Sequence, residues 1–181
     1  MSQAKVKGAN IINWRTFVDR QGNDVWSAMI SSLTPSDRDE LMGLNSMSWY
    51  EVSLQNRVLE ALVEHLPGSE NEVLMRLTEF EARQDLTVVH RMFLRMANPA
   101  FMVEQGARLW GRFYDRGKWT SERVENGARS SLSDFGHIER IFVPYLGHYF
   151  LNAFTLVGAK DADVTWRLVG DVAHFEGTWR G

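Results

Sequence analysis

The sequence predicts an α+β fold, in which a mostly helical N-terminal half packs with a C-terminal antiparallel sheet of about four strands and one long helix. Three observations predict it: apolar residues recur at helical spacing up to about residue 113, alternation follows, and two hairpin signals flank an aromatic segment. Helices that precede an antiparallel sheet are typical of this class. We expect a single domain over 1–181, with a helical part at about 9–113 and a hairpin–helix–hairpin part at about 114–181.

The first elements are short helices. Apolar residues at helical spacing over 11–18 predict a first helix, which ends near Gly22. A second stripe covers 25–33, and Pro35 separates it from a short third helix because proline cannot continue a helix. The segment 48–50 is expected to be extended.

The central part of the chain predicts longer helices. The apolar stripe over 52–66 stops at a Pro-Gly pair, and Ser69 with Glu72 forms a capping box that opens the next helix over 73–80. Another stripe covers 88–96, and Pro99 stands where an N1 proline belongs, at the start of a helix. About six helices therefore precede the sheet.

The last third of the chain predicts hairpins. Asn126-Gly127 is a type I′ hairpin signal between two strands. A long aromatic helix is expected between 138 and 157, starting or kinked near Pro144. Gly170-Asp171 is the turn of a second hairpin.

The totals exclude several classes of function. A net charge of -3 argues against nucleic-acid binding, which requires a basic face. The absence of cysteine excludes disulfides, Fe–S clusters and a cysteine nucleophile. No apolar run is long enough to span a membrane, and the first residues are polar. We expect a cytoplasmic protein without a nucleic-acid partner or a membrane span.

The sequence contains no pattern of a catalytic centre. The five histidines form no metal-binding spacing, and neither a serine nucleophile elbow nor a phosphate-binding glycine loop is present. The acidic residues Glu79, Glu81 and Asp85 are interpreted as a solvated helix face. We therefore expect no enzyme, no cofactor and no metal site.

An aromatic pocket is the remaining candidate site. Tyrosine and tryptophan combine apolar rings with polar tips, which suits a small-molecule cavity and suits a helix–sheet core equally well. The candidate pocket residues are Trp49, Tyr50, Phe93, Trp110, Tyr114, Tyr145, Tyr149 and Phe150. A minor alternative makes His90, beside an apolar stripe, the axial ligand of a haem.

Short segments in a fixed order carry a family resemblance. They are Lys7-Gly8, Trp49-Tyr50, Leu94, Pro99-Ala100-Phe101, Leu109-Trp110, Tyr114-Asp115-Arg116-Gly117, Gly158-Ala159, Gly170-Asp171 and Trp179. The chain resembles an uncharacterised paralogous family expanded in Myxococcus and related deltaproteobacteria, which is distantly similar to the heme-NO-binding, four-vinyl-reductase and TRAPP-like ligand domains. The resemblance implies an α+β domain that senses a small molecule or scaffolds a protein partner, commonly as a dimer.

Two departures from that family bear on function. Many relatives carry cysteines in the last hairpin, whereas 164–175 has none, so the resemblance does not extend to a thiol-dependent role. The tyrosine–serine–arginine haem signature of the heme-NO-binding relatives has its nearest equivalent at 119–123, where Trp119 replaces the tyrosine.

Three hypotheses of function remain. The first is a non-enzymatic, small-molecule-sensing or scaffolding domain that acts through a protein partner, as a homodimer with a small apolar ligand. The second is a protein–protein interaction module with a filled core. The third is a haem-binding gas sensor. A ligand-sized cavity near Trp110 and Tyr149 would favour the first over the second.

Overall fold

The computed structural model describes residues 3–22, 24–93 and 98–180, and for 86–93 it describes the backbone alone. The α+β prediction is confirmed, because six helices precede a four-stranded antiparallel sheet and a seventh packs on it. The helices are α1 Gly8–Asp19, α2 Val25–Ser31, α3 Pro35–Met42, α4 Val52–His65, α5 Glu70–Phe93, α6 Pro99–Phe113 and α7 Phe142–Leu156. The strands are β1 Lys5–Lys7, β2 Trp49–Glu51, β3 Lys118–Val124, β4 Gly127–Ser133, β5 Lys160–Val169 and β6 Val172–Arg180.

Helix α5 is one long helix where the sequence predicts two. It begins with the predicted capping box, in which the Ser69 amide donates to Glu72 Oε2 at 2.7 Å. It then continues for 24 residues to Phe93. Polar residues interrupt the apolar stripe after residue 80, but no glycine or proline stands there to end a helix. The part of the predicted second helix beyond Phe93, at 94–96, lies outside the described residues.

The strand β1 pairs with β2 and ties the chain's start to the end of α6. Val6 lies opposite Tyr50 and also bridges to Tyr114. The Lys5 amide donates to Asp115 Oδ1 at 2.7 Å, and the Asp115 amide donates to the Lys5 carbonyl at 3.0 Å. A strand of three residues shows no alternation in sequence, so β1 was not predicted.

The sheet has the strand order β3-β4-β6-β5. Val124 pairs with Gly127, so the loop of the first hairpin is Glu125-Asn126 and not the predicted Asn126-Gly127. Asn126 adopts φ 61°. Gly127 is the first residue of β4, and the carbonyl oxygen of Gly177 occupies the place where a Cβ would lie, so only glycine fits there.

Helix α7 lies on the sheet. It begins at Phe142, close to the predicted start near Pro144, which sits in the first turn, where amide groups have no partner within the helix. The ring of Trp166 on β5 occupies the position of a Cβ at Gly147, so this glycine allows the helix to approach the sheet closely.

Four packed rings lie where the end of α6 meets the start of α7. Trp110 and Tyr114 stack at a centroid distance of 4.1 Å, and Phe135 and Phe142 stack at 5.2 Å. Tyr114 meets Phe142 edge-on at 5.7 Å. We call Trp110, Tyr114, Phe135 and Phe142 the ring cluster; all four are buried.

None of the helices in the described part of the chain is long and apolar enough to cross a membrane.

Candidate functional site

A cavity of about 790 Å³ lies between the helices and the sheet. Its volume falls within the range of roughly 300–1,000 Å³ typical of ligand pockets. Residues from α1, α5, α6 and α7 line one side, and residues from all four strands of the large sheet line the other. The cavity therefore stands between the two halves of the predicted fold.

Small residues on facing elements leave this space open. Ala153 on α7 faces the cavity, and Ala128 and Gly177 line it from the sheet. On α6, a Cβ at Gly106 would lie 2.7 Å from Trp119 Nε1, so the helix contacts the strand there through its backbone. Small side chains therefore line the cavity on both α7 and the sheet.

Most of the lining is apolar and aromatic, but one side is polar. We call the polar wall the lining residues Asn10 and Asn13 of α1, Glu81 and Asp85 of α5, and Tyr145 and Tyr149 of α7. Glu81 and Asp85 lie four residues apart on α5 and share one face of the helix. The polar wall thus joins three helices at one end of the cavity.

Hydrogen bonds hold the two carboxyl groups of the polar wall. Tyr145 donates its hydroxyl to Glu81 Oε2 at 2.8 Å, and Tyr149 donates to Asp85 Oδ2 at 3.0 Å. Asn13 Nδ2 donates to Asp85 Oδ1 at 3.4 Å. All of these donors are neutral, so they orient the carboxyl groups without neutralising a negative charge.

Burial changes the acidity of the polar wall. Glu81 is 1% exposed, and its burial, with the nearby charge of Asp85, raises the pKa of Glu81 well above the ordinary value. Burial also raises the pKa of Asp85, to about 6, although the hydrogen bond from Tyr149 opposes the shift. An uncompensated negative charge at this wall is therefore costly.

The tyrosines that line the cavity stay protonated. Burial raises the pKa of Tyr145 and of Tyr149 well above the ordinary value, and it raises the pKa of Tyr114 as well. The Tyr114 hydroxyl accepts a hydrogen bond from Gln55 Nε2 at 3.0 Å. These hydroxyls act as hydrogen-bonding groups and not as anions.

Two cationic side chains of α6 stand at the cavity. Arg108 and Arg112 belong to its lining, and both are exposed residues. The charge of Arg112 opposes the rise in the pKa of Asp85, but it forms no ion pair with that carboxyl group among the described contacts. The mouth of the cavity is therefore basic, whereas its inner wall is acidic.

The structure brings five of the eight predicted pocket residues to this cavity. They are Trp110, Tyr114, Tyr145, Tyr149 and Phe150.

Two others are elsewhere. Trp49 lies on β2 with 39% of its surface exposed, and Lys7 Nζ lies 4.0 Å from the centre of its ring. Tyr50 is buried against the β1 side, where its hydroxyl accepts from the Asn45 amide at 2.8 Å. The pairing of β2 with β1 holds both residues away from the cavity, which corrects their predicted place in it.

The side chains of Phe93 and His90 lie outside the described residues, although both positions belong to helix α5. Their predicted roles, as a pocket residue and as a haem ligand, stay predictions.

The acidic residues of the polar wall were misread in the sequence. Glu79 is exposed and pairs with Arg83 at 2.9 Å, as expected of a solvated face, but Glu81 is buried. The signal was present, because Leu74, Leu77 and Glu81 recur at spacings of three and four residues. The buried face of α5 that carries Leu74 and Leu77 therefore also carries the side chain of Glu81.

Among the side chains that the structure describes, no group of three or more histidines or acids could hold a metal ion. His148 is buried beside Asn71, with 2.6 Å between Nε2 and Asn71 Oδ1, and burial lowers the pKa of this imidazole.

Solved structures of H-NOX proteins share the fold. An Fe(II) unliganded H-NOX protein from K. algicida superposes with a TM-score of 0.73, at 12% identity over 97% of each chain. An H-NOX protein from S. oneidensis in the Fe(II)NO state gives 0.73 at 12% identity, over 97% of this chain and 99% of the other. A structure from a study of heme distortion in the H-NOX family gives 0.69 at 11% identity, over 97% and 95%. At this identity the similarity establishes a shared H-NOX-like fold.

No protein-family model matches the chain, and no curated protein matches it.

Proposed function

We propose that the chain is a non-enzymatic sensory or scaffolding domain that binds a small molecule in the cavity between its helices and sheet. It acts in the cytoplasm, as a homodimer, through a protein partner. One observation carries the proposal: a cavity of about 790 Å³ is lined by rings and bears at one side the buried carboxyl group of Glu81 and the half-buried one of Asp85. Apolar pockets with a few convergent polar groups are the usual form of a ligand site.

The cavity favours sensing over a filled interaction module. In a filled core, side chains interdigitate and leave few voids larger than a water molecule. Here the small side chains of Ala128 and Ala153 line a space far larger than that. Buried polar groups at its edge are a cost that a purely structural core has no need to carry.

Its chemistry supports binding and not catalysis. Ser121 and Ser130 line the cavity, but their hydroxyls lie 2.9 Å apart and bond to each other, and no histidine activates them among the described lining residues. Trp119 Nε1 also donates to Ser121 Oγ, at 2.7 Å. Both serine hydroxyls are therefore engaged in hydrogen bonds between residues of the sheet.

The shared fold raises the question of haem, which H-NOX neighbours such as those of the heme-distortion study carry. Haem iron is held by histidine, cysteine, tyrosinate or methionine with histidine. The described lining has no histidine, its tyrosines are held protonated by burial, and Met102 has no histidine partner there. These lining residues do not fit a haem.

The proposal is tested by native mass spectrometry of the chain purified from its own host. We expect a bound small molecule in the wild type and its loss in Ala153→Met, which fills the cavity from α7. Thr155→Met, an exposed change on the same helix, is the matched control and keeps the ligand. Equal spectra for the wild type and Ala153→Met would contradict the proposal.

Titration with haemin tests the haem alternative separately. The lining described above predicts no Soret shift beyond that of haemin with a non-specific protein. A stoichiometric, saturable Soret band that disappears in His90→Ala would establish the third hypothesis instead.

Membership of the deltaproteobacterial paralogous family stays a prediction, since the fold similarity reaches only the wider H-NOX-like group.

A further inference from the structure

The polar wall offers more acceptors than donors to whatever fills the cavity. Asn10 lines the cavity with 5% of its surface exposed, and its Oδ1 accepts no hydrogen bond from any described residue. Buried polar atoms in native proteins nearly always have a partner, so an orphaned acceptor beside a cavity indicates a missing donor. Glu81 and Asp85 stand on the same wall.

No cation of the described residues forms an ion pair with these carboxyl groups, and the exposed Arg112 acts on Asp85 only through its charge. The ion pairs described involve neither Glu81 nor Asp85, and their hydrogen bonds come from neutral groups. A buried acid that lacks a cation normally stays protonated or finds an opposite charge. A positively charged ligand would supply that opposite charge.

We infer that the polar wall binds the amino group of an apolar amine, whose hydrocarbon part lies against the aromatic remainder of the cavity. This inference rests on the proposed function and names the class of its ligand. An ammonium group carries three donors and no acceptor, which complements Asn10 Oδ1 and the two carboxyl groups. Hydrogen bonds between ionised partners are about twice as strong as neutral ones.

The groups that face the carboxyl pair come from three helices. Helix α1 contributes Asn10 and Asn13, α7 contributes the hydroxyls of Tyr145 and Tyr149, and α6 contributes the guanidinium of Arg112. Arg112 is exposed and unpaired with the acids, so it does not fill the place of the amine. Burial raises the pKa of both acids, and a bound ammonium group would lower it again.

The arginines at the mouth supply the competing hypothesis. Arg108 and Arg112 could instead hold a carboxylate ligand whose tail lies in the cavity. That orientation would leave Asn10 Oδ1 without a donor and both buried carboxyl groups without a cation. The contacts described therefore favour the amine, and the experiment separates the two.

Octylamine, octanol and octanoate share one hydrocarbon tail and differ in the head group. Isothermal titration calorimetry of the full chain at neutral pH measures the affinity for each. We expect octylamine to bind at least about tenfold more tightly than octanol, because a hydrogen bond to a charged group contributes more than one to a neutral group. Equal affinities, or a preference for octanoate or octanol, would overturn the inference while leaving ligand binding itself intact.

Isosteric variants assign the preference to the wall. In Glu81→Gln/Asp85→Asn we expect the affinity for octylamine to fall by at least about tenfold and that for octanol to stay unchanged. Glu79→Gln, which removes an exposed charge on the same helix, is the matched control and keeps both affinities. Retained octylamine affinity in the double variant would overturn the inference.

Two further outcomes of the titrations also decide the inference. If the double variant loses octanol as well, its fold is impaired and the single variant Glu81→Gln decides by the same criterion. If none of the three probes binds the wild type, this inference fails, and the native mass spectra of the wild type and Ala153→Met decide the proposed function.

Discussion

The ring cluster and the polar wall use the same kind of residue in opposite ways. In the ring cluster, Phe135 and Phe142 cover each other's faces at 5.2 Å and leave no polar atom to satisfy. In the polar wall, Tyr145 and Tyr149 end in hydroxyls that point to carboxyl groups beside open space. An aromatic residue is core where its surroundings are filled, and it is a binding surface where they are not.

The largest effect is expected from removing a ring of the ring cluster. Phe142→Ala removes a ring that is 0% exposed, and we expect a loss of about 3–5 kcal/mol in the free energy of unfolding. Phe150→Ala removes a half-buried ring from the cavity side, where the space is already open, and should cost about 1–2 kcal/mol. Urea unfolding measures both, and equal losses would show that the cavity is not open in solution.

An intermediate effect is expected from removing the Tyr145 hydroxyl while keeping its ring. Tyr145→Phe keeps the ring but removes the donor to Glu81 Oε2, and we expect a loss of about 1–3 kcal/mol, because the buried carboxyl group loses a hydrogen-bond partner. Tyr50→Phe is the control, since its hydroxyl bonds only neutral backbone groups, and it should cost about 1 kcal/mol. A smaller cost at Tyr145 than at Tyr50 would contradict a role for Glu81.

The smallest effect concerns the charge itself. Burial raises the pKa of Glu81 above its ordinary value of 4.5, so folding binds a proton that the unfolded chain releases. The stability from that proton is complete at low pH and is lost as the pH rises through the folded pKa. Glu81→Gln imitates the protonated form, so it should change little near pH 4.

At about pH 8 the same variant should stabilise the chain by on the order of 1 kcal/mol, a rise in Tm of about 2–4 °C. Thermal unfolding across this range measures the trend, and Glu79→Gln should show none. A variant that destabilises more at pH 8 than at pH 4 would mean that Glu81 is ionised in the fold.

Much of the architecture could be read from local signals. The capping box at Ser69 and the N1 proline at Pro99 each act within one helical turn, and both open the predicted helices. The merged helix α5 was not predicted, because Glu81, which interrupts its apolar stripe, is buried and accepts a hydrogen bond from Tyr145 of α7, far away in sequence. Tertiary packing decides such cases, and helical propensity does not.

The candidate site was only partly readable for the same reason. Its aromatic residues stand out by composition, and five of the predicted ones line the cavity. Glu81 did not stand out, because a buried acid and a solvated acid look alike in a sequence. Trp49 was misplaced because a three-residue pairing with β1 fixes its strand, and that pairing leaves almost no pattern.

Contacts of Tyr114 and Trp110 hold the C-terminal end of α6 in place. At this end of the helix, Val6 bridges to Tyr114, Gln55 donates to its hydroxyl, and Trp110 Nε1 donates to the Arg116 carbonyl at 2.8 Å. The opposite end is capped locally, where Asn98 Oδ1 accepts from the Phe101 amide at 2.9 Å. Because these contacts join the last turn of α6 to β1 and α4, we expect this end of the helix to keep its place when a ligand enters the cavity.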